Sequence, residues 1–161
     1  MTNQSRHRAK ILVSSCLLGE KVRYDGGDNE LSHLQLRQWK LEGRLVSFCP
    51  ECAGGLSTPR TPAERVGNRV LTKTGEDVTA EFSYGAEQAV ELASRLEIKV
   101  AILKARSPSC GSGIIYDGSF NKRLIDGNGM TTDALIAAGI KVFSEDELEE
   151  LNRYLSEIGS A

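Results

Sequence analysis

The sequence has no apolar run near the roughly 18 residues needed for a membrane span. Charge of one dominant sign is also missing: 20 Lys and Arg face 22 Asp and Glu, for a net charge of -2. That balance gives no electrostatic footing for duplex nucleic acid, which calls for a net basic face. No secretory leader is expected, because Met1 to Lys10 is polar and basic. The apolar stretch from Ile11 carries Ser14, Ser15 and Cys16 and stops at Gly19-Glu20, too short for a leader's apolar core. Histidine is scarce, and the two present, His7 and His33, have no ligand-pair spacing. No G-x-G-x-x-G marks a dinucleotide site, and there is no internal repeat, low-complexity tract or dividing linker. These absences leave one globular domain over 1–161, with 1–9 flexible and the cytoplasm as its expected place.

What is present is an alternation of strand and helix patterns. Lys10 to Leu18, Arg44 to Phe48, Ile98 to Leu103 and Ile140 to Phe143 read as strands. Helical spacing runs from Leu31 to Leu41, from Thr79 or Ala80 to Leu96, and from Thr131 to Ala138, where Gly139 is a stop. Ser144 and Glu147 are spaced as a capping box for a last helix, whose stripe is Leu148, Leu151, Leu155 and Ile158. Arg69 to Val78 reads as a hairpin turning at Gly75, whereas 50–68 and 112–129 read as irregular. The pattern predicts a single-domain, three-layer Rossmann-like α/β fold with a mainly parallel sheet and a small β-hairpin.

Such sheets bind ligands beyond the carboxyl ends of their strands. Four cysteines are present, and three of them, Cys16, Cys49 and Cys110, stand just past predicted strands. Chance places one cysteine so, but three such placements make a shared site the leading reading, and since disulfides are rare in the cytoplasm the thiols are read as metal ligands, reactive thiols or packed thiols. Cys49 and Cys52 form a C-x-x-C pair, a spacing that suits a metal. It also suits thiol exchange, although Pro50-Glu51 and the glycines beyond fit a helix opening poorly. Scattered thiolates equally suit an iron–sulfur cluster, and three of them leave one iron open. Packed, inert thiols are the plain alternative.

Three blocks carry a resemblance. Cys16-Leu17-Leu18-Gly19 with Val22 to Gly27 is the first, and Cys49-Pro50-Glu51 with Gly54-Gly55-Leu56, Thr58-Pro59-Arg60 and Pro62-Ala63-Glu64 the second. Lys104 with Ser107-Pro108-Ser109-Cys110-Gly111 is the third. In this order they resemble the signatures of the thiouracil desulfurase family over nearly the whole chain. The resemblance implies a 4Fe–4S cluster held by Cys16, Cys49 and Cys110, its open iron accepting the substrate's sulfur; cluster-assembly machinery would supply it, and an exposed cluster is oxygen-sensitive and can be lost in air. It implies Glu51 and Ser107 as the catalytic pair, and desulfuration of a thiolated pyrimidine (a 2-thiouracil-like base, nucleoside or nucleotide) to the oxo form. Tyr24, Asp25 and Ser109 become candidates for the substrate pocket. Cys52 departs from the family pattern, which has an apolar residue there, and is a less favoured ligand. Plainer roles stand beside these: Glu51 pairing Arg60, Ser107 and Ser109 capping a turn, Asp25 fixing its own loop, and Gly54-Gly55 forming a turn or anion nest. Trp39 reads as core, His33 as structural, and Lys104, Arg106, Lys122 and Arg123 as a solvated basic group. Two other functions remain open: a metal-binding or redox-sensing module using Cys49/Cys52 with Cys16 and Cys110, and a nucleotide-binding domain with incidental thiols.

Overall fold

The computed structural model describes residues 8–159. In chain order the elements are β1 (Ile11–Ser14), a 3-10 turn (Ser15–Leu18), α1 (Leu34–Leu41), β2 (Leu45–Phe48) and α2 (Pro50–Ala53). Then come β3 (Ala63–Val66), β4 (Arg69–Thr72), α3 (Thr79–Arg95), β5 (Val100–Leu103), β6 (Ile114–Tyr116) and β7 (Leu124–Asp126). The chain closes with α4 (Met130–Ala137), β8 (Lys141–Ser144) and α5 (Leu148–Glu157). Four strands pair in the order β2-β1-β5-β8, all parallel. The predicted layered α/β fold is borne out.

Alternation along the strands builds the layers. Ile11, Val13, Val100 and Ile102 point to one face and pack with Leu36 and Trp39 of α1 and Leu148, Leu151 and Leu155 of α5. Leu12, Ala101 and Leu103 point to the other and meet Ala89 and Ala93 of α3 and Leu135 of α4. Each such fully buried leucine or isoleucine stabilises the fold by about 1.5–3 kcal/mol. Successive strands are added outward from β1 on one side and from β5 on the other. The order therefore reverses between β1 and β5, and a crevice opens beyond their carboxyl ends.

Several boundaries differ from the sequence expectation. The first strand stops at Ser14, and Cys16 lies in the 3-10 turn that follows, closed by Gly19 at φ 90°. Within the expected loop 50–68, Pro50 opens a short helix, a position where its missing N–H costs nothing. The main hairpin is β3–β4, not 69–78, although Val78 N does donate to Val70 O (2.9 Å) and Gly75 does turn at φ 92°. A second hairpin, β6–β7, occupies the stretch read as irregular. Glu147 accepts from Ser144 N (2.8 Å), half of the expected capping box, but the Ser144 hydroxyl takes Asp146 N and α5 begins only at Leu148. His33 caps α1 through Nδ1, accepting from Gln35 N, and is structural as expected. Within the stretch 1–9, Arg8 pairs with Glu42 (3.3 Å) and the Ala9 carbonyl accepts from Arg44 Nε (2.9 Å). The rest of this stretch expected to be flexible, His7 included, lies outside the described residues. No helix among the described residues is long and apolar enough to cross a membrane.

Candidate active site

A cavity of about 510 Å³ opens where the strand order reverses, lined by Cys16, Cys49 and Cys110 together with Glu51 and Ser107. Each thiol reaches it from a different strand end. Cys16 follows β1, and its loop is strapped back by Asn29 N donating to Cys16 O (2.9 Å) and Leu31 N to Leu17 O (2.9 Å). Cys49 follows β2 as the N-cap of α2. The objection that this C-x-x-C fits a helix opening poorly is thereby corrected, since the pair does open a helix.

The Cys110 loop follows β5 and is pinned by the start of α4. Met130 N donates to Pro108 O (2.8 Å), Thr131 N to Ser109 O (2.8 Å) and the Thr132 hydroxyl to Cys110 O (2.9 Å). Gly129 lets the loop come this close, because a Cβ there would stand 2.3 Å from the Ser109 carbonyl carbon.

The α2 side depends on two glycines. A Cβ on Gly85 of α3 would sit 2.0 Å from Pro50 O, and one on Gly54 would sit 2.0 Å from Glu81 O. Gly54 is therefore a packing glycine, and Gly54-Gly55 offer no anion nest, because their amides already donate to Pro50 O (2.8 Å) and Cys52 O (3.0 Å). Gly85→Ala should push α2 off α3 and cost about 1–3 kcal/mol. Thermal unfolding checks this, at roughly 2–4 °C per kcal/mol for a chain of this size; an unchanged melting temperature would show that α2 moves freely.

Glu51 lies in the first turn of α2 and pairs with Arg60, Nε to Oε1, at 3.1 Å. Burial raises its carboxyl above the ordinary range, and Arg60 opposes that. Arg60 also donates to Val22 O (2.7 Å), Ser57 O (3.1 Å) and Thr58 Oγ1 (2.9 Å), so it ties the loop carrying Val22 and its own loop together beside the carboxylate. The plain role expected for Glu51 is thus present, but it occupies only Oε1. Oε2 takes no hydrogen bond among the described residues, and Glu51 lines the cavity.

Ser107 Oγ accepts from both Ser109 N and Cys110 N, each at 3.0 Å. Both lone pairs are occupied, so toward the cavity this hydroxyl can act only as a donor. Its turn-capping role fixes its chemical role.

Two pocket candidates are corrected. Ser109 is fully buried and its hydroxyl faces that of Thr131 at 2.9 Å, away from the cavity lining. Asp25 lies outside the lining and fixes its own loop, pairing Arg23 (3.2 Å) and accepting from Gly27 N (2.9 Å). Tyr24 does line the cavity. Lys104, Arg106 and Lys122, read from the sequence as solvated, line it as well, joined by Lys73. Lys104 pairs with Glu145 (2.9 Å), whereas Lys73, Arg106 and Lys122 have no ion pair among the described residues. Arg123 stays outside.

The cysteines are free thiols. Cys110 is pushed up to about 12 by burial, and burial likewise raises Cys49 and Cys16. Asn29 and Lys104 partly counter the rise at Cys16. Buried thiols of this kind become thiolates when a cationic centre takes them as ligands. Among the described residues no three His, Cys, Asp or Glu side chains stand close enough to share a single metal ion. The donor set, three soft sulfurs around one cavity, fits a multi-iron cluster. Cys52 does not line the cavity, and its Sγ sits 3.6 Å from Thr58 Oγ1.

Fold and site together define an α/β domain of the doubly wound class, with a thiol-lined cavity at its switch point. Residues 11–147 match the model of the 2-thiouracil desulfurase family, and the chain belongs to that family. It is 41% identical over 151 residues to the uncharacterized protein YbbK of Bacillus subtilis (strain 168), covering 88% of this chain and 99% of that protein. It is also 53% identical to the solved structure of the [4Fe-4S]-dependent thiouracil desulfidase TudS, with a TM-score of 0.91 over 92% of this chain and 99% of that one. The resemblance carried by the three sequence blocks is borne out.

Proposed function

We propose that the chain is a single-domain cytoplasmic desulfurase that converts a thiolated pyrimidine to its oxo form with a 4Fe–4S cluster. One observation carries this reading: in a member of this family, three free thiols from three neighbouring strand ends line one cavity with Glu51 and Ser107. Cys16, Cys49 and Cys110 would hold the cluster, delivered by assembly machinery. When bound, such a cluster supplies an iron open to a soft sulfur ligand.

The chain's own groups supply the rest. Ser107 donates its proton in a hydrogen bond to a ring heteroatom or carbonyl of the substrate and so orients it. Glu51 takes a proton from the water that adds to the thiocarbonyl carbon, acting as general base. Arg60 keeps the carboxylate in place through Oε1. Water and thiocarbonyl become carbonyl and hydrogen sulfide, with no change of oxidation state, so neither a nicotinamide nor a flavin is needed. Lys73, Arg106 and Lys122 suit an anionic arm, which favours a nucleotide over the free base.

An anaerobic preparation tests the reading. It should be brown, hold iron and acid-labile sulfide in near-equal amounts, and release sulfide from 2-thiouracil, faster from the 2-thiouridine monophosphate. A colourless protein holding stoichiometric zinc would overturn it. The redox-module reading retains one favourable observation, the C-x-x-C pair opening α2.

A further inference from the structure

The β6–β7 hairpin adds little to the core: all three β7 residues are exposed, and Ile115 is the one well-buried apolar side chain it contributes. Its tip is nevertheless tightly determined. Asp117 Oδ1 accepts from Ser119 N (2.9 Å) and from the Ser119 hydroxyl (2.6 Å). Asp117 N donates to Arg123 O (2.9 Å). Glu64, on β3 of the other hairpin, accepts from both Gly118 N (2.9 Å) and Phe120 N (3.1 Å) through the single oxygen Oε1. The contact is close, since a Cβ on Gly118 would stand 2.4 Å from Val66 Cγ2.

Within this tip Phe120 and Lys122 adopt left-handed backbone, at φ 59° and 60°. Residues without a glycine's freedom hold such conformations only where their surroundings impose them, and these cluster at functional sites. Both residues line the cavity. Of the four aromatic rings there, Tyr24 already has the Arg23 guanidinium over it at 5.8 Å, Phe48 packs against the core, and Tyr116 belongs to the regular β6 strand rather than to the strained tip. Phe120 has no ring or cation partner among the described residues.

We propose that Phe120 is the surface on which the substrate's pyrimidine ring stacks, and that Glu64 is the positioning residue that sets it there. This rests on the cavity being the thiopyrimidine site. A planar base meeting an aromatic face gains attraction without any hydrogen-bond code. The stack would orient the thiocarbonyl edge, while the polar groups opposite read the ring's heteroatoms.

The holoenzyme tests it, assayed with 2-thiouracil beside the wild type. Phe120→Ala should raise KM roughly tenfold to a hundredfold, with kcat moving less than about threefold and iron content unchanged; Phe120→Tyr should restore KM. Glu64→Ala should raise KM in the same direction and speed amide exchange at Gly118 and Phe120. Glu64→Gln, which keeps a carbonyl acceptor, should reverse both effects. An unmoved KM in Phe120→Ala, in an active background, would overturn the stacking role alone. Faster exchange with an unmoved KM in Glu64→Ala would overturn the positioning role. A wild type that holds its cluster but turns over no thiopyrimidine would take down the proposed function, and this inference with it.

Discussion

Cys110→Ser is expected to give a folded protein with no cluster and no measurable sulfide release. The substitution is small, and a serine hydroxyl there has Ser14 and Ser109 as neighbours, so the loop should persist. What goes is one of three sulfurs, and two cannot hold a cubane against exchange with solvent thiols. Cys16→Ser and Cys49→Ser should behave alike. Cys52→Ser should keep the cluster, because Cys52 lies outside the cavity and contacts Thr58. Iron and acid-labile sulfide per chain, with circular dichroism as the control for folding, decide the matter. A Cys52→Ser protein that loses its cluster while Cys110→Ser keeps it would reverse the ligand assignment and revive the C-x-x-C module.

Glu51→Gln should lower kcat by about 10²–10⁴-fold, the usual worth of a positioned general base, while iron content and fold stay as they are. Glutamine keeps an Oε1 that Arg60 Nε can reach, so the tie between the two loops and α2 survives. It removes only the capacity to take a proton. Steady-state sulfide release under anaerobic conditions gives the number; a kcat within about threefold of wild type would leave Glu51 a purely structural partner of Arg60.

The elements that were legible in the sequence are those whose side chains serve the sheet. Val100 to Leu103 is an unbroken buried run, and α3 carries small apolar residues at helical spacing, so both were placed within about two residues. The hairpins were misjudged for a physical reason. β6 and β7 are three residues each and largely exposed, so no alternation marks them. Their tip is held by Glu64, distant in sequence, and a bond of that kind leaves no local trace. The same holds for the site. Three thiols past three strands were visible as a pattern, with Glu51, Ser107 and Tyr24 beside them, but Lys73 and Phe120 were not, because they come from the hairpins that were misplaced or read as loop. Ser109 was misassigned because a family block does not say which of two neighbouring hydroxyls faces inward.

The opening amides of α4 are occupied by the carbonyls of Pro108 and Ser109. In many folds of this architecture such a helix end, with its partial positive charge, is the place where a phosphate rests. Here the chain itself has filled that seat. The cations that line this cavity without an ion pair among the described residues, Lys73, Arg106 and Lys122, stand on movable stems and can be exchanged one at a time without touching the backbone. The rim of the cavity can thus be changed while its thiol-lined floor stays fixed.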